Sequence, residues 1–108
     1  MQRESLAREK IIVLDLGGHG SHFVARQVRR LKVYCEILAS MTSPQELKAA
    51  KTRGVILSGG NDGVTESRRQ QIMDYASALL SSGIPILAMG SGLRWLVKEL
   101  GGRPTMVQ

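Results

Sequence analysis

Four short apolar runs punctuate the chain, each followed by a stretch whose apolar residues recur at helical spacing. The first run is Ile11-Ile12-Val13-Leu14-Asp15-Leu16, nearly continuous in its apolar character, as a strand buried on both faces requires. Gly17-Gly18-His19-Gly20-Ser21 breaks it. Phe23, Val24, Val28 and Leu31 then recur at helical spacing, with Arg26, Arg29 and Arg30 on other faces, and Ser21 is placed to cap that helix. A second strand is expected over Val33-Tyr34-Cys35-Glu36-Ile37-Leu38. A short helix is expected near Gln45–Ala50, capped by Ser43, with Pro44 in its first turn.

Gly54-Val55-Ile56-Leu57-Ser58 predicts a third strand, closed by Gly59-Gly60-Asn61-Asp62-Gly63. A longer helix is expected over Glu66–Leu80, burying Ile72, Tyr75, Ala76 and Leu79, and ending at Ser81-Ser82-Gly83. The fourth run, Ile84-Pro85-Ile86-Leu87-Ala88-Met89, ends abruptly in Gly90-Ser91-Gly92. Leu93, Leu96, Val97 and Leu100 follow at helical spacing, closed by Gly101-Gly102. Strand, sharp turn, helix and terminating glycine is the reading, with Ser91 capping the helix. The charged residues 1–9 form a flexible leader, and 10–108 form the domain.

Strands alternating with helices at this spacing predict a three-layer α/β/α domain with a short parallel sheet, flavodoxin-like in style, joined by right-handed crossovers. Ligands of such sheets sit beyond the carboxyl ends of the strands. The glycine clusters Gly17–Gly20, Gly59–Gly63 and Gly90–Gly92 fall at those ends, so three permissive loops share one rim. The last turn is of the kind on which several hydrolases present a nucleophile. At its apex stands Gly90, which has no side chain to react.

The chain has 108 residues, one small domain's worth. No apolar run approaches the roughly 20 residues that span a membrane, and no apolar secretory core is present, so a cytoplasmic protein is expected. Cys35 is the one cysteine, which excludes an internal disulfide. The net charge of +6 permits acidic partners. Yet the basic residues are dispersed along the sequence, and aromatics are scarce. Both facts argue against nucleic acid and for solvated helix faces.

At this point the residues resemble a known family. Ile11-Ile12-Val13-Leu14-Asp15 with Gly17, Ala25-Arg26 with Val28-Arg29 and Leu31, and Val33-Tyr34-Cys35-Glu36-Ile37-Leu38 are similar to the opening of a class I glutamine amidotransferase domain. Gly54-Val55-Ile56-Leu57-Ser58-Gly59-Gly60 resembles the family's glycine-rich segment. Ile84-Pro85-Ile86-Leu87, Gly92 and Lys98-Glu99-Leu100-Gly101-Gly102 resemble the segment around its nucleophile. The resemblance spans about residues 10–102 and is to the variety found in GMP synthetases. It implies hydrolysis of glutamine by a cysteine on the turn after the fourth strand. A histidine and a glutamate further along assist it, and the ammonia passes to a synthetase domain that aminates XMP.

The resemblance puts Gly90 at the cysteine's position and Ser91 at that of its aromatic neighbour. It places oxyanion-hole-like backbone N–H groups on Gly59 or Gly60 and on Ser91. The assisting histidine and glutamate would fall after residue 108. Departures gather on the rim: Gly18-His19-Gly20-Ser21-His22 in the first loop, Asn61 after the paired glycines, and Gly92 beyond the turn. The strands keep the family pattern while the reacting position does not. The expectation is therefore a nucleophile-less relative, inactive alone, with no cofactor and no metal. The alternative is a non-catalytic module that binds a synthetase domain, a complementary second half or a second copy of itself.

Rival chemistry is weaker. Ser91 fails the Gly-x-Ser-x-Gly pattern because Met89 and Leu93 stand where glycines are needed. His19 and His22 are too few for a catalytic zinc, although Asp15 and Asp62 lie towards the same rim. Cys35 falls on an ordinary strand position and reads as a packing residue. Gly18-x-Gly20 lacks the third glycine of a dinucleotide fingerprint, with Phe23 in its place.

Overall fold

The computed structural model describes residues 8–16, 20–39, 41–59 and 66–103. Along the chain these form β1 (Lys10–Asp15), α1 (Ser21–Arg30), β2 (Cys35–Leu38), α2 (Pro44–Ala49), β3 (Thr52–Gly59), α3 (Glu66–Ser82), β4 (Ile86–Gly90) and α4 (Ser91–Glu99). All four strands are parallel, in the order β2-β1-β3-β4. The chain thus turns one way from β1 to β2 and the other way from β3 to β4. The switch between β1 and β3 opens a crevice at their carboxyl ends.

Strand alternation sorts the core into two layers. Ile12, Leu14, Val55 and Leu57 point to the side covered by α2 and α3, where they meet Leu47, Ile72, Tyr75 and Leu79. Val13 and Ile56 point the other way, towards Ala25 of α1 and Cys35. Ile72, Tyr75, Ala76 and Leu79 are buried, so the face expected of the long helix is the one it uses. Helix α4 packs on α3, β4 and β3.

Two caps differ from the sequence reading. Ser21 is the first residue of α1 and not its cap. Gly20 takes the cap position at φ 110°, a left-handed conformation natural to glycine. Ser91 is likewise the first residue of α4, and Gly90 is the cap. The short helix follows expectation: the Ser43 hydroxyl accepts from the Glu46 N–H at 3.2 Å, with Pro44 in the first turn. The α1 face is also rotated from the one expected. Ala25 is fully buried, Val24 and Val28 are half-buried, and Phe23 and Leu31 are exposed. β2 is shorter than expected, beginning at Cys35, because Val33 and Tyr34 precede the ladder with β1.

The Tyr75 hydroxyl donates to the Thr42 carbonyl, tying α3 to the loop before α2. Burial pushes its pKa up from 10 to about 12. A phenol whose folded pKa is raised contributes stability that is complete below the unfolded value. That stability is lost as pH rises through the folded one. Urea denaturation should therefore show a loss on the order of 2 kcal/mol between about pH 10 and 12. Tyr75→Phe should abolish that step and cost about 1 kcal/mol at neutral pH.

Candidate active-site turn

The strand register brings the rim together. Asp15 lies opposite Ser58, Ser58 opposite Met89, and Gly59 opposite Gly90. The glycine-rich end of β3 and the turn after β4 are therefore direct neighbours. Leu16 extends the crevice floor by donating its N–H to the Ser58 carbonyl at 3.1 Å. Of the rim residues read from the sequence, Gly59, Gly90, Ser91 and Gly92 belong to described elements. Gly18, His19, Gly60, Asn61 and Asp62 lie outside the described residues.

Gly90 is both the last residue of β4 and the cap of α4, at φ 60° and ψ −132°. L side chains rarely adopt this combination, and residues held in such conformations cluster at active sites. The sharp strand-to-helix turn expected from the sequence is thus present, with glycine at its apex. Beyond it, the first N–H groups of α4 have no partners within the helix, and Ser91 carries the first of them.

Helix α1 opens at the same rim. Neither α1 nor α4 has an acidic residue in its first turn or a side-chain cap bond. Their positive ends are left to whatever occupies the rim. α2 contrasts, because Ser43 and Glu46 already answer its N-terminus. Two helix N-termini and the end of β3 form a setting that favours negative charge at the rim.

One pair of rim residues escaped the sequence reading. Ser21 and Ser58 are both buried, and the Ser21 hydroxyl donates to that of Ser58 at 3.3 Å. The bond fastens the start of α1 to β3 just before Gly59. Its signal in the sequence is the serine directly before Gly59-Gly60.

The other candidates are placed elsewhere. Cys35 starts β2 opposite Ile11, at the strand end away from the rim, and is buried. Burial pushes its thiol pKa up. Its carbonyl accepts from Arg29 at 2.9 and 3.3 Å. His22 is exposed on α1. No group of three or more His, Cys, Asp or Glu able to hold a metal ion occurs among the described residues. None of the described helices is long and apolar enough to cross a membrane.

A parallel β2-β1-β3-β4 sheet with a sharp strand-to-helix turn beside a glycine-rich strand end defines an α/β protein of the nucleophile-turn kind. The family profile of glutamine amidotransferase class-I matches residues 12–107, and the chain belongs to that family. Its relatives include the glutamine-hydrolysing GMP synthase of Gloeobacter violaceus, 41% identical over 101 residues. Those of Crocosphaera subtropica and Tolumonas auensis are 38% and 31% identical over 100 residues. The alignments cover 93–94% of this chain but only 18% of each relative. Over these residues the chain is homologous to the glutaminase domain of GMP synthases.

Proposed function

We propose that the chain is a glutaminase-type scaffold of the GMP synthase kind that does not itself hydrolyse glutamine. One observation carries the reading: the apex of the turn is glycine. Amide hydrolysis on this turn needs a side chain that attacks the carbonyl carbon and leaves a covalent intermediate. Gly90 offers only backbone. The oxyanion-stabilising part survives better, because it rests on the N–H groups of Gly59 or Gly60 and of Ser91. Its expected use is to hold a carboxamide or carboxylate without cleaving it.

A glutamate-release assay on glutamine tests this, with a no-protein control. The expected result is release equal to the control. Turnover that disappears in Ser91→Ala would overturn the proposal and make the serine the nucleophile. Turnover indifferent to Ser91→Ala would overturn it by requiring a different site.

A second reading, a docking module for a synthetase domain or for a second copy, is favoured by the uncovered half of the sheet. α1 covers β1 and β2 on its side and reaches Ile56 of β3 through Ala25, but among the described residues no helix covers Leu87 of β4 there. Leu31, Val33, Gly54, Ile56, Pro85 and Leu87 line an apolar groove of about 410 Å³. The GMP synthase relatives are several times longer than this chain, which is compatible with a synthetase partner.

A further inference from the structure

We propose that the pole of the sheet opposite the rim carries a second, independent site that takes a phosphate-type anion. In a parallel α/β sheet the strands begin at the end where the helices finish. The basic residues at the ends of α1 and α2 therefore lie at that pole. Arg29 and Arg30 close α1 and Lys32 follows it. Lys48 lies in the last turn of α2, Lys51 follows it, and Arg53 is the second residue of β3.

Between the last three lies a hollow of about 300 Å³, lined by Glu9, Lys48, Lys51, Thr52 and Arg53. Three cations face one carboxylate, and that carboxylate is already held by Arg53. Basic residues in a last helical turn ordinarily complement the helix dipole, which accounts for Arg29, Arg30 and Lys48. It does not account for Lys32 and Lys51. They sit beyond the caps at φ 64° and 61°, in the left-handed region where a side chain is strained and glycine is not. The chain uses glycine at the corresponding step after α3 and α4, with Gly83 at φ 84° and Gly101 at φ 87°. After α1 and α2 it keeps a charge at the expense of backbone ease.

The α2 carbonyls do not need Lys51 for neutralisation, because the buried Lys10 ammonium donates to the Ala50 carbonyl. Thr52 supplies a second, independent observation. It is 7% exposed, and its hydroxyl is the buried side-chain polar atom left without a hydrogen-bond partner among the described residues. A hydroxyl donor beside three cations suits a ligand rich in anionic oxygens. Thr52 itself lines the hollow.

The test is a titration of the ¹⁵N-labelled 108-residue chain at low ionic strength with inorganic phosphate and, separately, with ADP. Saturating shifts are expected at the Lys48, Lys51, Thr52 and Arg53 amides, with Gly90–Leu93 unmoved. Lys51→Gly should weaken phosphate binding about fivefold or more while leaving the melting temperature equal or higher. Lys48→Gln, on an exposed helix face, should weaken it without touching the backbone, and Arg94→Gln should not. Equal affinity for the two probes assigns the site to phosphate alone, and tighter ADP binding adds the nucleoside. Shifts that do not saturate, that centre on the rim, or that survive both lysine variants would overturn the proposal.

Discussion

Gly90→Cys should create the most reactive thiol in the chain and a less stable fold. The backbone at residue 90 is at φ 60° and ψ −132°, which glycine adopts freely and an L residue does not. Enforcing it on cysteine should cost about 1–3 kcal/mol, read as a lower urea midpoint. The introduced thiol would sit at the N-terminus of α4, where the helix dipole and free N–H groups favour thiolate. Cys35 is the internal control, buried and with its pKa pushed up. Iodoacetamide at neutral pH, followed by peptide mass spectrometry, should label position 90 at least roughly tenfold faster than Cys35. Equal rates with an unchanged urea midpoint would remove the strained turn from the account.

Leu57→Ala should come close to unfolding the domain, while Leu87→Ser, one strand away, should leave it standing. Leu57 is 0% exposed on the interior strand β3, between Leu14 and Ala88. Truncation there should cost about 2–5 kcal/mol in transfer energy and cavity. A single domain commonly has only about 5–15 kcal/mol in total. Leu87 is 59% exposed on β4, on the uncovered half of the sheet. Its replacement should shift stability by no more than about 0.5 kcal/mol, measured by urea denaturation. The same variant tests docking by sedimentation velocity. Concentration-dependent association of the parent chain, lost in Leu87→Ser, is the outcome expected if this face pairs copies of the chain. A parent that stays monomeric at high concentration restricts the face to a different partner.

Much of the scaffold was legible because its signals are local. The apolar runs of β1 and β3, the Ser43-Pro44 start of α2 and the buried set of α3 each follow from a few adjacent residues. The failures have a common physical origin, which is that the decisive neighbour is distant in sequence. Ser21 looked like a cap because serine usually is one. Gly20 takes the cap instead, and the Ser21 hydroxyl donates to Ser58, 37 positions on. Phe23 and Leu31 looked like core at the right spacing, but α1 presents Ala25 to Val13 and Ile56 instead. Lys48, Lys51 and Arg53 are close in sequence, but Glu9, which completes the hollow and accepts from Arg53, stands 44 positions before it.

For the candidate site, the sharp turn with glycine at its apex was readable from the apolar run that ends in Gly90-Ser91-Gly92. That Gly59 and Gly90 stand side by side required the strand register. The scarcity of acid at the mouths of α1 and α4 acquires meaning only once both helices are seen to open on one rim.

The ease with which glycine fits residue 90 also bears on how such a protein changes over generations. Glycine codons ending in a pyrimidine are one base from cysteine codons, so at residue 90 either residue is a single substitution from the other. The two directions are unequal: a change to glycine relaxes the backbone, whereas a change to cysteine strains it. Drift without selection for a thiol here would thus run towards glycine, and lineages that keep glycine would tolerate more damage elsewhere in the domain.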